Sequence, residues 1–185
     1  MINWGNFNGF FSTGIPSEVL YASLGVSALM IVILVLVEMK RSNSLEVIWR
    51  TFLWVLLVEY LFVVICSTVV FRGVQSFTYA RLELIPFWTY KAVLEHIPGV
   101  SVWDIVLNVV MFLPLGFLVK LLYPSLSLGK MLLIAVACSL CIETSQYVFE
   151  KGIAQIDDVM HNAIGAIIGW GVAKGTLALA KRAST

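Results

Sequence analysis

Residues 20–38 read LYASLGVSALMIVILVLVE, and residues 20–37 of this stretch carry no charged side chain. A helix needs about 20 mostly apolar residues to cross a hydrocarbon core of ~30 Å, so the stretch is long enough to span a membrane. Four further stretches have the same character. The five predicted spans are Leu20–Glu38, Trp49–Phe71, Trp103–Tyr123, Lys130–Phe149 and His161–Ala180. The pattern predicts an all-α integral membrane protein, a bundle of about five transmembrane helices forming a single membrane domain over residues 1–185.

The composition points the same way. Of the 185 residues, 60% are hydrophobic and 12% are charged, whereas a soluble domain has about 45–50% apolar and about 25% charged residues. So few polar side chains do not cover a globule of this size, which argues against a soluble enzyme. The net charge of +1 shows no bias toward nucleic acid, and no nucleic-acid partner is predicted.

Basic residues are distributed unequally between the two sides of the predicted bundle. One side has Lys40, Arg41, Arg50, Lys120, Lys130, Lys174, Lys181 and Arg182, and the other has Arg72, Arg81, Lys91 and Lys151. Because Lys and Arg concentrate in cytoplasmic loops, the N-terminus is predicted outside and the C-terminus in the cytoplasm. The long loop from Arg72 to Val102 then lies outside, and its aromatic stretch 84–90 suits the interfacial region. Residues 1–17 are either a short interfacial helix or a tail with aromatic anchors.

Polar side chains in three of the spans fall at a similar depth near the predicted outer ends. They are Asp104 and Asn108 in the third span, Glu143 and Gln146 in the fourth, and Asp157, Asp158, His161 and Asn162 at the start of the fifth. Charged and amide groups are costly inside a membrane, so each needs a partner or a functional role. We therefore expect these groups to meet in the outer leaflet. Glu59, in the middle of the second span, is either protonated or paired with a polar group on another helix.

Small residues and a proline indicate how the spans pack. Gly165 and Gly169 form a small-xxx-small pattern that allows close approach of two helices. Pro114, followed by Gly116, is expected to kink the third span and to free a carbonyl near Val110.

Four motifs in a fixed order resemble those of a known family. They are Arg72 with Ile85-Pro86-Phe87, the run Asn108–Phe117 (NVVMFLPLGF), Glu143-Thr144-Ser145-Gln146, and residues 156–166 (IDDVMHNAIGA). They are similar to the arginine and I-P-F, the N-x-x-x-F-x-P-x-G-F, the E-x-x-Q and the I-D-D-V-x-x-N-x-x-G-A of the VanZ-like membrane proteins, over about residues 72–171. Gly152 and Gln155 stand where many members have an arginine and an acidic residue, and His161 where an aliphatic residue is common.

The resemblance implies a multi-pass protein of the bacterial cytoplasmic membrane. The family's namesake is linked to teicoplanin resistance in Gram-positive bacteria, and the family has neither a settled catalytic mechanism nor a known cofactor. We expect this chain to bind a membrane lipid, a lipid-linked cell-wall precursor or an envelope-active drug at an outward-facing polar site, and so to lower glycopeptide susceptibility. Two alternatives stay open: a membrane-embedded enzyme with Glu143 and Asp158 as acid and base on a lipid-linked substrate, and a small transporter. A homodimer is also compatible with the sequence.

The candidate residues follow from these motifs. The predicted binding residues are Arg72, Asn108, Glu143, Gln146, Asp157, Asp158 and Asn162, with Glu59, His161 and Asp104 in second place. Structural roles are expected for Pro86, Phe87, Pro114, Gly116, Gly165 and Gly169. The competing interpretation is a hydrogen-bonded lock between the third, fourth and fifth spans, with Asp158 as the N-cap of the last helix. No metal site or cofactor is predicted, although a divalent cation at the acidic cluster beside His161 is a further alternative.

Overall fold

The computed structural model describes residues 16–41, 45–73 and 82–183. Five of its helices are long and apolar enough to cross a membrane. They are α1 (Ser17–Arg41), α2 (Leu45–Ile65), α4 (Val102–Leu122), α5 (Leu128–Val148) and α6 (Ile156–Ala183), and the short helix α3 (Trp88–Leu94) precedes α4. The predicted all-α, multi-pass bundle is confirmed. The assignment of its ends to the two sides of the membrane stays a prediction, and the interfacial helix considered for residues 1–17 lies almost wholly outside the described residues.

The last helix begins earlier than the sequence suggested. It starts at Ile156 rather than at His161, so Asp157 and Asp158 lie in its first turn. A residue inside the first turn has helical backbone angles, whereas an N-cap residue precedes them. The expectation that Asp158 is the N-cap of this helix is therefore wrong.

Helix α2 ends in an unusual way. After Ile65 the chain continues as a π-helical turn, Cys66–Val70, closed by the Phe71 N–H donating to the Cys66 carbonyl at 2.9 Å. A π-turn holds one more residue than an α-turn and is frequent at functional sites. The turn delivers Arg72 to the end of the bundle where α4 and α6 begin and α5 ends, which we call the cavity end.

Helices α4 and α6 approach each other closely enough for their backbones to touch. A Cβ added at Gly165 or at Gly169 would lie 2.0 Å from a carbonyl oxygen of α4, and one added at Gly116 would lie 1.9 Å from a carbonyl oxygen of α6. No side chain fits at these distances, so glycine is required at all three positions.

Helix α4 runs through Pro114 without a break. The nearby carbonyl of Met111 accepts a hydrogen bond of 2.6 Å from the Tyr60 hydroxyl.

A buried lysine organises the opposite end of the bundle. Lys120 is 6% exposed, and its Nζ donates to the carbonyls of Pro124 at 2.5 Å and Leu126 at 2.9 Å. The Trp170 indole N–H donates to the same Leu126 carbonyl at 3.0 Å. The turn between α4 and α5 is thereby fixed to α6.

The close contact of α4 and α6 yields a stability prediction. Gly165→Ala should lower the free energy of unfolding by about 1–3 kcal/mol or more, because its methyl group meets the α4 backbone. Gly171→Ala is the matched control, since a Cβ there meets nothing within 4 Å and alanine favours a helix by up to about 1 kcal/mol over glycine. Thermal unfolding of both variants in detergent measures the difference. Equal unfolding temperatures would contradict the packing described here.

Candidate functional site

A short β-bridge ties the loop before α4 to the start of α6. Strand β1 (Leu82–Glu83) pairs in parallel with β2 (Ala154–Gln155), which leads directly into α6. A strand of two residues is too short to show alternation in the sequence, and none was predicted. The bridge fixes the loop over the cavity end.

Asp157 holds the start of helix α3. Its Oδ1 accepts a hydrogen bond from the Phe87 backbone N–H at 2.6 Å, and its Oδ2 accepts one from the Thr89 N–H at 2.8 Å. The first N–H groups of a helix have no acceptor within the helix, and Asp157 supplies one. Phe87 adopts a left-handed backbone conformation, with φ of 65°, just before α3. Asp157 is 2% exposed and both of its oxygens bond the backbone, so its geometry is that of a structural residue.

A polar cavity of about 230 Å³ lies between the end of α2, the loop that contains α3, and the starts of α4 and α6. Its polar lining residues are Arg72, Thr89, Asp104, Asn108, Gln155 and Asp158, and the others are Gly99, Val100, Leu107 and Ile153. We call it the polar cavity. The structure thus brings together four of the predicted candidate residues, one of them basic and two acidic.

Hydrogen bonds orient the two acidic residues of the polar cavity. The Asn108 side-chain amide donates to Asp158 Oδ1 at 2.6 Å, so the bond joins α4 to α6. Asp104 Oδ2 accepts from the Ser101 backbone N–H at 2.7 Å, as part of the capping box that begins α4. Asp104 is therefore held by the start of its own helix, and Asp158 by the neighbouring helix α4.

Arg72 contributes to the polar cavity from the turn after α2, whereas Asp104 and Asp158 lie on α4 and α6. Its guanidinium is close enough to interact electrostatically with Asp104, Glu143 and Asp158. Within the described part of the chain, however, no direct ion pair joins it to any of them. A Cβ at Gly152 would lie 3.3 Å from Arg72 Cζ, so the guanidinium packs over this glycine. The Arg72 carbonyl accepts a bond of 2.7 Å from Lys151 Nζ, which anchors the backbone there.

Glu143 and Gln146 lie behind the polar cavity rather than in its lining. Glu143 Oε2 accepts from the Gln155 backbone N–H at 3.0 Å, and the Gln146 side-chain amide donates to the Thr68 carbonyl at 3.3 Å. Both side chains are buried. Glu143 lines a separate, mainly apolar cavity that shares Gln155 with the polar one. These two residues link α5 to β2 and to the π-turn, and so support the wall that carries Arg72.

Asn162 and His161 point away from the polar cavity. The Asn162 amide donates to the Ser139 hydroxyl at 2.8 Å, which joins α6 to α5, and His161 Nε2 lies 2.9 Å from the Tyr90 hydroxyl on α3. Both side chains are almost fully buried. Within the described ranges, no group of three or more His, Cys, Asp or Glu side chains is arranged to hold a metal ion.

The VanZ/LLP1 family model matches residues 51–179, well over half of the chain. The chain belongs to the VanZ/LLP1 family. The resemblance expected from the motifs is confirmed, and the match begins before residue 72, so most of α2 is part of the family region as well. Neither a curated protein nor a solved structure matches the chain significantly.

Glu59 lies within the VanZ/LLP1 region and is bonded to another helix. The Ser23 hydroxyl donates to its Oε1 at 2.8 Å, and the Ser27 hydroxyl donates to its Oε2 at 2.5 Å. The two serines are one turn apart on α1. Glu59 therefore joins α1 to α2 and lies outside the polar cavity. The sequence left open whether Glu59 is protonated or paired with a polar group on another helix, and the structure shows pairing with α1.

Sequence reasoning missed two polar lining residues of this VanZ/LLP1 protein. Thr89, whose hydroxyl donates to the Gln155 side-chain oxygen at 3.0 Å, lies in a loop that was assigned to interfacial anchoring. Gln155 was noted only as a departure from the family pattern. Its position two residues before Asp157 is the signal that could have identified it.

The role of Asp157 in this VanZ/LLP1 protein is testable. Asp157→Asn replaces one acceptor oxygen by a donor group that faces a backbone N–H, so α3 should loosen at a cost of about 1–3 kcal/mol. Hydrogen exchange over residues 84–97 should accelerate. Glu95→Gln is the control, because it also replaces a carboxylate by an amide and lies just after α3, but Glu95 forms an exposed pair with Lys91, which is worth about 0–1 kcal/mol. Unchanged protection in Asp157→Asn would refute the assignment.

Proposed function

We propose that this VanZ/LLP1 protein binds the headgroup of an amphiphile, a membrane lipid or a lipid-linked cell-wall precursor, on the outer side of the bacterial cytoplasmic membrane. The proposal rests on one observation, a cavity lined by an arginine, two aspartates and three neutral polar side chains at one end of an apolar bundle. Polar groups in membrane proteins are costly and usually mark a functional pathway or site. By holding such a molecule, the protein lowers the susceptibility of the cell to teicoplanin-type drugs.

The size of the polar cavity supports a headgroup as the ligand. Pockets that enclose drug-sized molecules have volumes of about 300–1,000 Å³, whereas this cavity measures about 230 Å³. A headgroup fits this space, and the acyl chains of the same molecule would lie outside against the apolar helices. A whole glycopeptide is far larger. The proposed effect on drug susceptibility therefore follows from the bound lipid or precursor and not from capture of the drug itself.

The charge distribution supports an outward orientation of the polar cavity. The positive-inside rule places the lysine-rich end, with Lys120 and Lys130, in the cytoplasm. The polar cavity lies at the other end of the bundle, beside the loop from Arg72 to Val102. A headgroup of the outer leaflet would then reach it without crossing the membrane.

The enzymatic alternative has less support from the geometry. Glu143 and Asp158 line different cavities, and one Glu143 oxygen already accepts the Gln155 N–H. An acid and a base that act on one substrate must both reach it within hydrogen-bond distance.

Drug susceptibility tests the proposed function. Expression in a teicoplanin-sensitive Gram-positive host should raise the inhibitory concentration, and Asp158→Asn should reduce that protection several-fold. The variant removes a cavity charge but keeps an oxygen for Asn108. Glu95→Gln, an equivalent change at an exposed position, should retain full protection at matched membrane levels. Absence of protection by the parent protein, or full protection by both Asp158→Asn and Arg72→Gln, would overturn the proposal.

Glu143→Gln separates the binding role from the enzymatic alternative. The glutamine retains an oxygen for the Gln155 N–H, so the wall of the cavity should persist and protection should stay within about twofold of the parent. Protection is measured in the same host, and thermal unfolding in detergent checks that the variant is folded. A folded variant that retains lipid but loses protection would favour catalysis instead.

A further inference from the structure

The lining of the polar cavity carries one basic and two acidic side chains. Arg72 lies on the wall formed by the end of α2, whereas Asp104 and Asp158 lie on the starts of α4 and α6. No direct ion pair connects them within the described residues. The Ser101 and Asn108 hydrogen bonds orient Asp104 and Asp158, and the Arg72 guanidinium packs over Gly152.

A ligand that enters the polar cavity displaces the water that solvates these side chains, because Arg72 and Asp158 are half-buried and Asp104 is exposed. Charges that lose water are stabilised only when an opposite charge or enough hydrogen bonds come close. A purely anionic ligand would satisfy Arg72 but would face two carboxylates. A purely cationic ligand would satisfy the carboxylates but would face the guanidinium. Neither fits both walls of a cavity of this size.

We infer, on the basis of the proposed function, that the headgroup bound in the polar cavity is zwitterionic. Its anionic group, a phosphate in a membrane lipid, lies against Arg72, and its ammonium group lies between Asp104 and Asp158. A guanidinium presents a planar fork of donors that matches phosphate. An ammonium has three donors, and in this arrangement the Asp158 oxygen that does not bond Asn108 accepts one of them.

Charged groups around the polar cavity are compatible with this orientation. Glu143 lies behind the wall and is close enough to interact with Asp158 and Arg72. Lys151 is bonded to the Arg72 carbonyl and so adds positive charge on the arginine side. The acidic side and the basic side of the polar cavity therefore remain distinct, and a dipolar headgroup has one favourable direction.

The test compares lipids that differ only in the headgroup. The purified full-length protein in detergent is titrated with phosphatidylethanolamine, which is zwitterionic, and with phosphatidylglycerol, which is anionic and has no ammonium, and binding is followed by native mass spectrometry. We expect phosphatidylethanolamine to bind about tenfold more tightly, equivalent to about 1.4 kcal/mol. Soluble phosphoethanolamine is expected to bind more weakly than the lipid, and equal binding would overturn the assignment to a lipid.

Variants separate the two halves of the headgroup. Arg72→Gln should weaken binding of both lipids, whereas Asp104→Asn and Asp158→Asn should weaken only phosphatidylethanolamine and bring the ratio of the two affinities toward one. Asp104 is the N3 residue of the capping box, and asparagine keeps a side-chain oxygen for the Ser101 N–H, so α4 should still form in Asp104→Asn. Lys91→Gln and Glu95→Gln are the matched controls, because each removes one charge at an exposed position in or just after α3. Both variants should leave the two affinities unchanged.

Two failures have different meanings. If phosphatidylglycerol binds as tightly as phosphatidylethanolamine, while Arg72→Gln still weakens both, the zwitterionic assignment is wrong and headgroup binding in the polar cavity stands. If none of the three cavity variants changes the binding of either lipid, the proposed function itself is wrong.

Discussion

The direct backbone contact between α4 and α6 is the constraint on which the rest of the cavity end depends. Gly116, Gly165 and Gly169 let the two helices approach until their carbonyl oxygens would touch any added Cβ. At that separation the first turns of both helices lie side by side, and the Asn108 amide reaches Asp158 at 2.6 Å. A wider spacing would separate these groups and open the polar cavity to its apolar surroundings. Helices in a membrane associate through close packing, since lipid provides no hydrophobic driving force between them, and small residues are common at such contacts. Here the same contact also positions charged groups.

The adjacent residues Asp157 and Asp158 serve different parts of the structure because a helix turns about 100° per residue. Asp157 points to the loop and binds two backbone N–H groups at the start of α3, whereas Asp158 points to the polar cavity and binds Asn108. The short β-bridge immediately before them holds this part of the chain against the loop. Two neighbouring acids are therefore required for two separate purposes, one structural and one at the proposed site. The sequence alone presented them as one acidic cluster.

The five spans and the common depth of the polar side chains could be predicted because both follow from local rules, the length needed to cross a membrane and the cost of a buried polar group. It could not be predicted which of those side chains line the polar cavity and which form hydrogen bonds behind it. Whether Glu143 and Asn162 face the cavity or a neighbouring helix depends on the rotation of each helix, which tertiary contacts decide. The early start of α6 was missed for a related reason, since its first turn is polar and is stabilised by the bridge and the loop instead of by lipid.

The position of Arg72 shows how such tertiary detail determines chemistry. The π-turn at residues 66–70 holds one more residue than an α-helical turn. If these residues were α-helical instead, the residues that follow would point in a direction about 100° away from the one observed. The π-turn leaves the Thr68 carbonyl available to Gln146, and it places the Arg72 guanidinium over Gly152. A larger residue at position 152 would meet both Arg72 and Gln146, at 3.3 Å and 3.2 Å from its Cβ. Glycine at this position thus makes room for the Arg72 guanidinium. The basic half of the polar cavity depends on that space, and its acidic half on the close packing of α4 against α6.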